Sequence, residues 1–250
     1  MNKLSVVIIT FNEEENIGKC IDSVHEVADE VVVVDSFSTD RTIEIATAKG
    51  ARIIQHKFEG HIQQKNFAKE QATHNWVLSI DADETLSEEL KQSIAEAKQS
   101  SDADGYTMNR LNFYCGKPIK TCGWYPDKKL RLWDRTKGVW TGINPHDKFE
   151  LIEGAVILNL TGDILHNTYP THQSFLSQRD KFATISAQHL KSKSVFVLLL
   201  KLIFSPPFKF IRTYFLLLGF TEGAVGFTIC FHLSREVFLK YFRAVKFKYS

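Results

Sequence analysis

The first hundred residues alternate between short apolar runs and segments with helical periodicity. Residues 6–9 and 31–34 are continuous runs of valine and isoleucine, the pattern of strands that are covered on both faces in a parallel sheet. Between them, four residues fall at the spacing of one helix face: Ile17, Cys20, Ile21 and Val24. Asn12 is placed to cap this helix, and Glu15 to complete a capping box. Strand, helix and strand at this spacing predict a right-handed βαβ unit.

The same alternation continues to about residue 100. It predicts helices over residues 42–49 and 62–73, strands over residues 51–55 and 76–80, and a further helix capped by Ser87. Asp40, at the start of the second helix, is expected to act as a cap. Together these elements predict an α/β fold with a doubly wound, mostly parallel sheet.

The pattern changes after residue 103. Residues 105–114, 129–133 and 155–160 are short β-like pieces, and the loops between them are rich in Gly, Pro, Trp and Asp. Loops of this kind on a rigid sheet commonly carry binding functions. A long helix follows, with Phe175, Phe182, Ile185 and His189 predicted on one face. We therefore divide the chain into a domain of residues 1–192, with halves 1–103 and 104–192, and a C-terminal region of residues 193–250.

The C-terminal region is both apolar and basic. Residues 191–250 contain ten Lys or Arg against two Glu, a local charge of +8 in a chain whose net charge is +2. Its longest stretch without a formal charge is 223–234, whereas a spanning helix needs about 18 to 20 apolar residues. We predict helices that lie on an anionic membrane surface. Helices packed on the protein or in a dimer, and a re-entrant hairpin, are the alternatives.

Cysteine usage and the start of the chain indicate a cytosolic location. Cys20, Cys115, Cys122 and Cys230 have no metal-ligand or redox spacing, so we interpret them as reduced thiols. A bridge between Cys115 and Cys122 is the less favoured alternative. No cleavage site precedes the first strand, so no secretory signal is expected. Nucleic acid is not expected as a partner, because the basic residues alternate with long aliphatic runs.

Polar residues follow three of the predicted strands. Thr10 and Asn12 come after the first, Asp35 after the second, and Asp81 and Asp83 after the fourth. Open α/β sheets bind ligands at the carboxyl ends of their strands, so we expect these side chains to share one site. Two carboxylates with one residue between them can hold Mg²⁺ or Mn²⁺ and leave coordination positions for diphosphate oxygens. The sequence therefore predicts chemistry on a metal-bound diphosphate.

Three segments resemble the inverting family 2 glycosyltransferases of the GT-A fold. They are Ser5 to Glu13 (SVVIITFNE), Val34 to Asp40 (VDSFSTD) and Asp81 to Glu84 (DADE). Later segments are similar to the bacterial lipopolysaccharide core β-glucosyltransferases: Gly123 to Asp127, Leu130 to Trp133, His146-Asp147, His166 to Tyr169 and Gly219 to Gly223. The resemblance spans the whole chain. It implies a nucleotide-sugar binding half over residues 1–103 and an acceptor and catalytic half over residues 104–192.

The resemblance implies a role for each matching residue. The donor nucleotide would be bound by Thr10, Asn12, Glu13, Asp35, Lys65 and Asp81, with Lys65 near the diphosphate. Asp83 would hold the metal ion, Mg²⁺ or Mn²⁺, and His166 would be a further ligand.

On the acceptor side, inversion requires a base that takes the proton of the attacking hydroxyl. Asp127 is the first candidate, Asp147 the second and Glu150 the third. Trp124 and Tyr125 would stack on a sugar, and His146 and Asp147 would contact the acceptor or the diphosphate. Asp147 departs from the His-Glu pair expected in the core glucosyltransferases.

The predicted function is therefore metal-dependent transfer of a hexose, with UDP-glucose as the expected donor, to a lipopolysaccharide core or other lipid-linked acceptor. The enzyme is expected to be peripheral on the inner face of the cell membrane. One alternative is a haloacid dehalogenase-type phosphatase, because residues 81–85 also fit its Asp-x-Asp-x-Thr pattern with Asp81 as nucleophile. Another is a membrane-associated scaffold without turnover. A dinucleotide-dependent dehydrogenase is disfavoured, since no glycine-rich turn follows the first strand.

Overall fold

A parallel sheet forms from the four predicted strands of the N-terminal half. In the computed structural model these are β1 (Leu4–Thr10), β2 (Glu30–Asp35), β3 (Arg52–Gln55) and β4 (Trp76–Asp81). They lie in the order β3-β2-β1-β4, with every neighbouring pair parallel. The connecting helices are α1 (Ile17–Val24), α2 (Thr42–Ala48) and α3 (His61–Gln71). The alternation predicted from the sequence is thus confirmed.

Antiparallel strands extend this sheet. They are β5 (Glu84–Leu86), β6 (Gly105–Tyr114), β7 (Lys117–Pro118), β8 (Lys128–Asp134) and β11 (Ile157–Tyr169). The order continues from β4 through β8, β6 and β11 to β5, and β7 pairs with β6. Strands β9 (Gly138–Ile143) and β10 (His146–Leu151) form a separate antiparallel pair.

The structure describes residues 2–100, 102–143, 146–190 and 192–248. The chain forms two compact units. Unit 1 comprises Met1–Arg110 and Asp127–His166, and unit 2 comprises Leu111–Pro126 and Asn167–Ser250. These units describe compactness and differ from the functional division at residues 103 and 192, which stays a prediction.

Unit 1 has a hydrophobic layer on each face of its parallel sheet. Because side chains alternate along a strand, Val6 and Ile8 of β1 pack with Ile21 of α1, while Val7 packs on the opposite face with Ala68 of α3. The predicted face of α1 is fully buried. Helix α4 (Glu88–Ala97) belongs to the first of these layers. The result is a doubly wound sheet whose strand ends are left open for a site.

The caps of the helices were predicted with mixed success. Ser87 caps α4 as predicted, since its hydroxyl accepts from the Leu90 amide at 3.2 Å. Asn12 does not cap α1, which begins only at Ile17 and has no side-chain cap. The backbone of Asn12 has φ 54°, and its side chain accepts instead from the Thr39 amide at 2.8 Å. Asn12 therefore ties the turn after β1 to the loop after β2.

Unit 2 is mainly helical. Its helices are α5 (His172–Gln188), α6 (Val195–Ile211) and α7 (Ala224–Lys246), and a π-helical turn follows α6. The predicted face of α5 is only partly right, because Phe175 is buried but the other buried positions are alanines, and His189 lies beyond the helix end. Within the described residues, no helix has both the length and the apolar character needed to cross a bilayer.

A close approach of backbones holds the start of α7. A Cβ at Gly226 would lie 1.8 Å from the carbonyl oxygen of Gly219, so only glycine fits there. Cys122 and Cys230 are buried in the same unit, and both are free thiols, as is the exposed Cys115.

The carboxylate of Glu30 ties β2 to its surroundings. It accepts from the Ser5 hydroxyl at 2.6 Å and from the amide of Thr73 at 2.8 Å, and it pairs with Arg52 at 2.8 Å. Burial raises the pKa of Glu30, but these hydrogen bonds outweigh it and lower the pKa from the ordinary 4.5 to about 2. Ionisation of Glu30 therefore stabilises the folded state.

We expect Glu30→Gln to lower the free energy of unfolding by about 2 kcal/mol at neutral pH. Because the folded pKa is depressed, this difference should be complete above the ordinary value of 4.5 and should shrink as the pH falls towards about 2. Urea denaturation across this range measures it. Glu44→Gln, at an exposed pair, is the control and should change little. A difference that does not depend on pH would contradict the prediction.

Candidate active site

A cleft of about 280 Å³ lies at the carboxyl ends of β1 and β4. Thr10 and Asp81 line it from the last positions of β1 and β4, and Glu13 and Asp83 from the turns that follow these strands. His166 lines it from β11. Five of the predicted site residues therefore meet in one place. Parallel strands of a doubly wound sheet bring their ends together in this way.

Thr10 offers a free hydroxyl in this cleft. The residue is only 5% exposed, and its Oγ1 has no hydrogen-bond partner among the residues that the structure describes. Buried polar groups are normally hydrogen-bonded, so an orphaned hydroxyl at a cleft wall is a place for a ligand atom. Contact of Thr10 with a donor stays a prediction.

Asp35 and Asn12 shape the loop beside the cleft. Asp35 is fully buried, and its carboxylate accepts from the amide of Ser38 at 2.9 Å and from the Ser38 hydroxyl. Asn12 is exposed, and its backbone N–H donates to the Ser38 hydroxyl at 2.8 Å. Their neighbours Phe11 and Ser36 line the cleft. Both residues thus hold the loop conformation, and their direct contact with a nucleotide stays a prediction.

Asp81 lies between two buried cations. Its carboxylate is 3.2 Å from the Lys65 ammonium and 3.1 Å from the Arg131 guanidinium, and these two side chains are 5% and 4% exposed. Burial alone would raise the pKa of Asp81, but the charges of Lys65 and Arg131 hold it well below its ordinary range. Asp81 is therefore ionised with its charge already offset.

Lys65 bridges two carboxylates. Its ammonium also lies 2.9 Å from Asp147, and it sits 4.7 Å from the ring centroid of Trp140. We predicted this lysine to offset the charge of the diphosphate, whereas in the structure two aspartates share its charge. Arg131 was not predicted as a site residue. The available signal was a single cation within the apolar segment 130–133.

Helix α3 carries the β9–β10 hairpin. The Asn66 side chain donates to the Trp140 carbonyl at 2.9 Å and accepts from the Trp140 amide at 3.0 Å. Lys69 donates to the Gly138 carbonyl at 3.0 Å. Asp147, on β10, is consequently held by the same helix that supplies Lys65. The side chain of His146, also predicted as a site residue, lies outside the described part of the chain.

Asp83 and His166 form the second pair in the cleft. The Asp83 carboxylate and the His166 Nε2 are 3.1 Å apart. Burial lowers the pKa of His166, but the hydrogen bond and the charges of Asp83 and Glu84 outweigh it and raise the pKa above its ordinary value. The imidazole is therefore held by a carboxylate that directs it into the cleft.

The donor set of this pair fits a divalent cation in part. The Asp83 carboxylate oxygen and the His166 Nε2 lie next to each other, and Mn²⁺ accepts both ligand types. Within the described residues, no group of three or more His, Cys, Asp or Glu side chains is arranged to hold a metal ion. The protein would thus supply only part of the coordination sphere, and diphosphate and water would supply the rest.

Asp127 is paired with two cations. Arg110 donates to its carboxylate at 2.8 and 3.0 Å, and Lys129 lies 2.9 Å away. Burial raises the pKa of Asp127, but Arg110 and Lys129 outweigh it and lower the pKa below its ordinary value. The two cations reduce its strength as a base. The side chains of Asp127 and Asp147 are 28% and 11% exposed, so Asp127 is the more accessible candidate.

The two base candidates belong to one line of alternating charges. The ion pairs connect Asp127, Arg110, Glu84, Arg131, Asp81, Lys65 and Asp147 in that order. Glu84 is fully buried in this line, and its carboxylate also accepts from the Asp81 amide at 2.9 Å. The exposed third candidate, Glu150, pairs with Lys148 outside this line.

The predicted sugar-stacking residues lie in unit 2. Trp124 packs against Tyr169 and Phe175, with ring centroids 5.4 and 6.1 Å apart. The ammonium of Lys120 lies 5.8 Å from the ring centroid of Tyr125. Contact of either aromatic ring with a sugar stays a prediction.

The fold and the cleft define a doubly wound α/β domain with acidic residues at its strand ends. The family profile described as Glycosyl transferase family 2 matches residues 5–148. The chain therefore belongs to glycosyltransferase family 2. The predicted GT-A fold and the enzyme class are confirmed at this level, and the phosphatase interpretation of Asp81 loses its support.

Relatives extend the similarity to the rest of the chain. An uncharacterized glycosyltransferase of Rickettsia prowazekii is 31% identical over 264 residues, which cover 99% of this chain and 89% of the relative. The lipopolysaccharide core biosynthesis glycosyltransferase LpsC of Rhizobium meliloti is 30% identical over 251 residues, covering 95% and 93%. A Rickettsia typhi glycosyltransferase is 44% identical, but the match covers only 44% of this chain and 38% of that relative.

One solved structure shares the fold at low identity. It is the mannosyltransferase PcManGT from Pyrobaculum calidifontis in complex with GDP-Man and Mn²⁺. The TM-score is 0.53 at 17% identity, over 76% of this chain and 63% of that chain. The likeness shows a common fold.

Replacing Lys65 tests whether the shared ammonium holds the site together. We expect Lys65→Met to lower the free energy of unfolding by about 3 kcal/mol, because it removes a buried cation that Asp81 and Asp147 share. Adding Asp147→Asn should recover part of that loss, since one of the unpaired charges is then removed. Urea denaturation measures both variants, with Lys57→Met at an exposed position as control. Equal stability of the single and double variants would contradict the bridge.

Proposed function

We propose that this protein is a metal-dependent inverting hexosyltransferase that uses a nucleoside diphosphate sugar. The observation that carries the proposal is the cleft in which Thr10, Asp83 and His166 meet at the strand ends. The unpaired Thr10 hydroxyl, the Asp83–His166 pair and Asp81 with its two cations lie at this site and support the proposal. Membership of glycosyltransferase family 2 supports the reaction class.

Asp83 and His166 would hold Mg²⁺ or Mn²⁺ in this enzyme. The cation would supply charge stabilisation for the departing diphosphate. Thr10 binds the donor with its hydroxyl, and Asp81 accepts a hydrogen bond from a ribose hydroxyl. Lys65 and Arg131 keep Asp81 ionised and oriented for that contact.

The base is one of the two aspartates at the ends of the charge line. Asp127 is our first candidate, because it is more accessible to an acceptor hydroxyl than Asp147. Asp147 is the second, because Lys65 brings it close to Asp81. Either carboxylate would take the proton from the hydroxyl as it attacks the anomeric carbon.

The donor is UDP-glucose in this proposal, and the acceptor is a lipopolysaccharide core or another lipid-linked glycan. The similarity to LpsC over 95% of the chain supports the choice of acceptor class. Such an acceptor is anchored in a lipid bilayer, so the enzyme would work at the cytoplasmic face of the membrane. The basic, apolar C-terminal helices support that location.

Asp83→Ala tests the metal site. We expect it to lower Mn²⁺-dependent hydrolysis of UDP-glucose by about 100-fold or more, because it removes a ligand of the cation that offsets the leaving charge. Calorimetry of UDP binding should in addition lose its dependence on Mn²⁺. Glu89→Ala, on the exposed face of α4, is the control.

Unchanged hydrolysis and unchanged Mn²⁺ dependence in Asp83→Ala would refute the assigned role. In the wild-type protein, release of phosphate from a monoester would instead indicate a phosphatase. The absence of both hydrolysis and nucleotide binding would indicate a scaffold.

Asp127→Asn and Asp147→Asn decide between the two bases. The variant that removes the base should keep UDP affinity and lose between about 10² and 10⁴ in kcat for transfer, the usual contribution of a general base. The other variant should keep most of kcat. Steady-state transfer to a lipopolysaccharide core acceptor, with UDP binding measured separately, makes the distinction. A kcat that stays within tenfold in both variants would rule out both residues.

A further inference from the structure

Helix α7 presents a row of phenylalanines on its outer face. Phe227, Phe231, Phe238 and Phe242 are between 43% and 50% exposed. Their separations of four, seven and four residues place them on one side of the helix. Arg235 falls on the same side and is also exposed. The other sides of α7 carry the buried residues, including Ile229, Leu233 and Ala244.

Helix α6 presents a second row of the same kind. Phe196, Leu200, Phe204, Phe208 and Ile211 are between 41% and 71% exposed. They follow one another at intervals of four, four, four and three residues, which again is the spacing of one helix face. The opposite side, with Leu198, packs against Tyr241 and Ala244 of α7.

The α7 row begins at Phe227, next to the C-terminal end of α6. Its ring makes edge contacts with Phe210 at 5.8 Å and with Tyr214 at 5.9 Å, at the end of α6 and in the π-helical turn. Phe227 also stacks with Phe231 at 6.2 Å. We call these two rows together the aromatic surface. Its extent exceeds the scattered apolar residues that water-exposed surfaces normally carry.

Positive charge accompanies the aromatic surface. Lys201 and Arg212 are exposed beside its α6 row, as Arg235 is within its α7 row. The two acidic residues of this region are already paired, Glu222 with Lys117 at 2.8 Å and Glu236 with Arg179 at 3.2 Å. The surface thus combines apolar side chains with a net positive charge.

We propose that the aromatic surface docks into the headgroup region of an anionic lipid bilayer, with α6 and α7 lying along the membrane. Aromatic rings would enter the boundary of the acyl chains while Lys201, Arg212 and Arg235 contact lipid phosphates. Charge complementarity favours this occupant over a second copy of the chain, because two copies would bring like charges together. This inference specifies which surface binds the membrane of the proposed function. It rests on the proposed function only in assuming that the enzyme works at a membrane.

Flotation with lipid vesicles tests the aromatic surface. The full chain should float with vesicles of phosphatidylethanolamine and phosphatidylglycerol, and much less with phosphatidylcholine alone. Phe231→Ser/Phe238→Ser should lower the bound fraction by about tenfold or more, since two large apolar side chains no longer enter the interface. Arg235→Gln should lower binding to the anionic vesicles and leave binding to phosphatidylcholine vesicles unchanged. Ile152→Ser/Ile157→Ser, at exposed apolar positions of unit 1, is the matched control and should bind normally.

UDP-glucose hydrolysis and thermal unfolding are measured on the same preparations. Normal values in Phe231→Ser/Phe238→Ser, together with lost flotation, would support the proposal whatever the acceptor is. Flotation of that variant as strong as the wild type, or no flotation of the wild type, would overturn it. A dimer in light scattering that Phe231→Ser/Phe238→Ser dissociates would also overturn it, by showing that a second copy covers the surface. Absent hydrolysis with normal flotation would contradict only the proposed function.

Discussion

The arrangement of the candidate site depends on how its buried carboxylates are neutralised. Glu84 is fully buried at the start of β5, and Asp81 is partly buried at the end of β4, so an unpaired charge at either position would be destabilising. Arg131 pairs with both of them, and Lys65 joins Asp81 to Asp147. These cations allow acidic residues to cluster at one edge of the sheet, at the end of the buried strand β4. Asp83 and His166, which pair with each other, also line the cleft.

The sequence pattern was sufficient to predict the parallel strands and to place a cleft at their carboxyl ends. Buried parallel strands are continuous apolar runs, and each ends where the polar residues Thr10, Asp35 and Asp81 appear, so the strand ends could be located from local pattern alone. The bridge between Lys65 and Asp147 could not be located, because 82 residues separate the two and only the tertiary fold brings them together. Asn12 failed as a helix cap for a related reason. Its side chain is used by Thr39, on a different loop.

The C-terminal half shows a different limit of sequence patterns. The apolar and basic composition predicted helices at an interface, but composition does not say which side of each helix is covered. Packing of α5 and α6 on α7 decides it, since these neighbours bury the faces that carry Leu198, Ile229 and Leu233 and leave the phenylalanine rows outside. The alanines at positions 183 and 187 of α5 were missed because small residues at a tight helix contact give little hydrophobic signal.

The side chain of Asn66 acts as a substitute strand edge. It offers Trp140 one donor and one acceptor, as a neighbouring peptide group would, so the β9–β10 hairpin is fastened to α3 by the chemistry of a sheet. Gln64, two residues earlier on α3, lines the cleft at the strand ends. Any rigid shift of α3 on filling of the cleft would therefore carry the hairpin and Asp147 with it. The hydrogen bonds of Asn66 and Lys69 and the ion pair of Lys65 would then couple occupancy of the cleft mechanically to the position of Asp147.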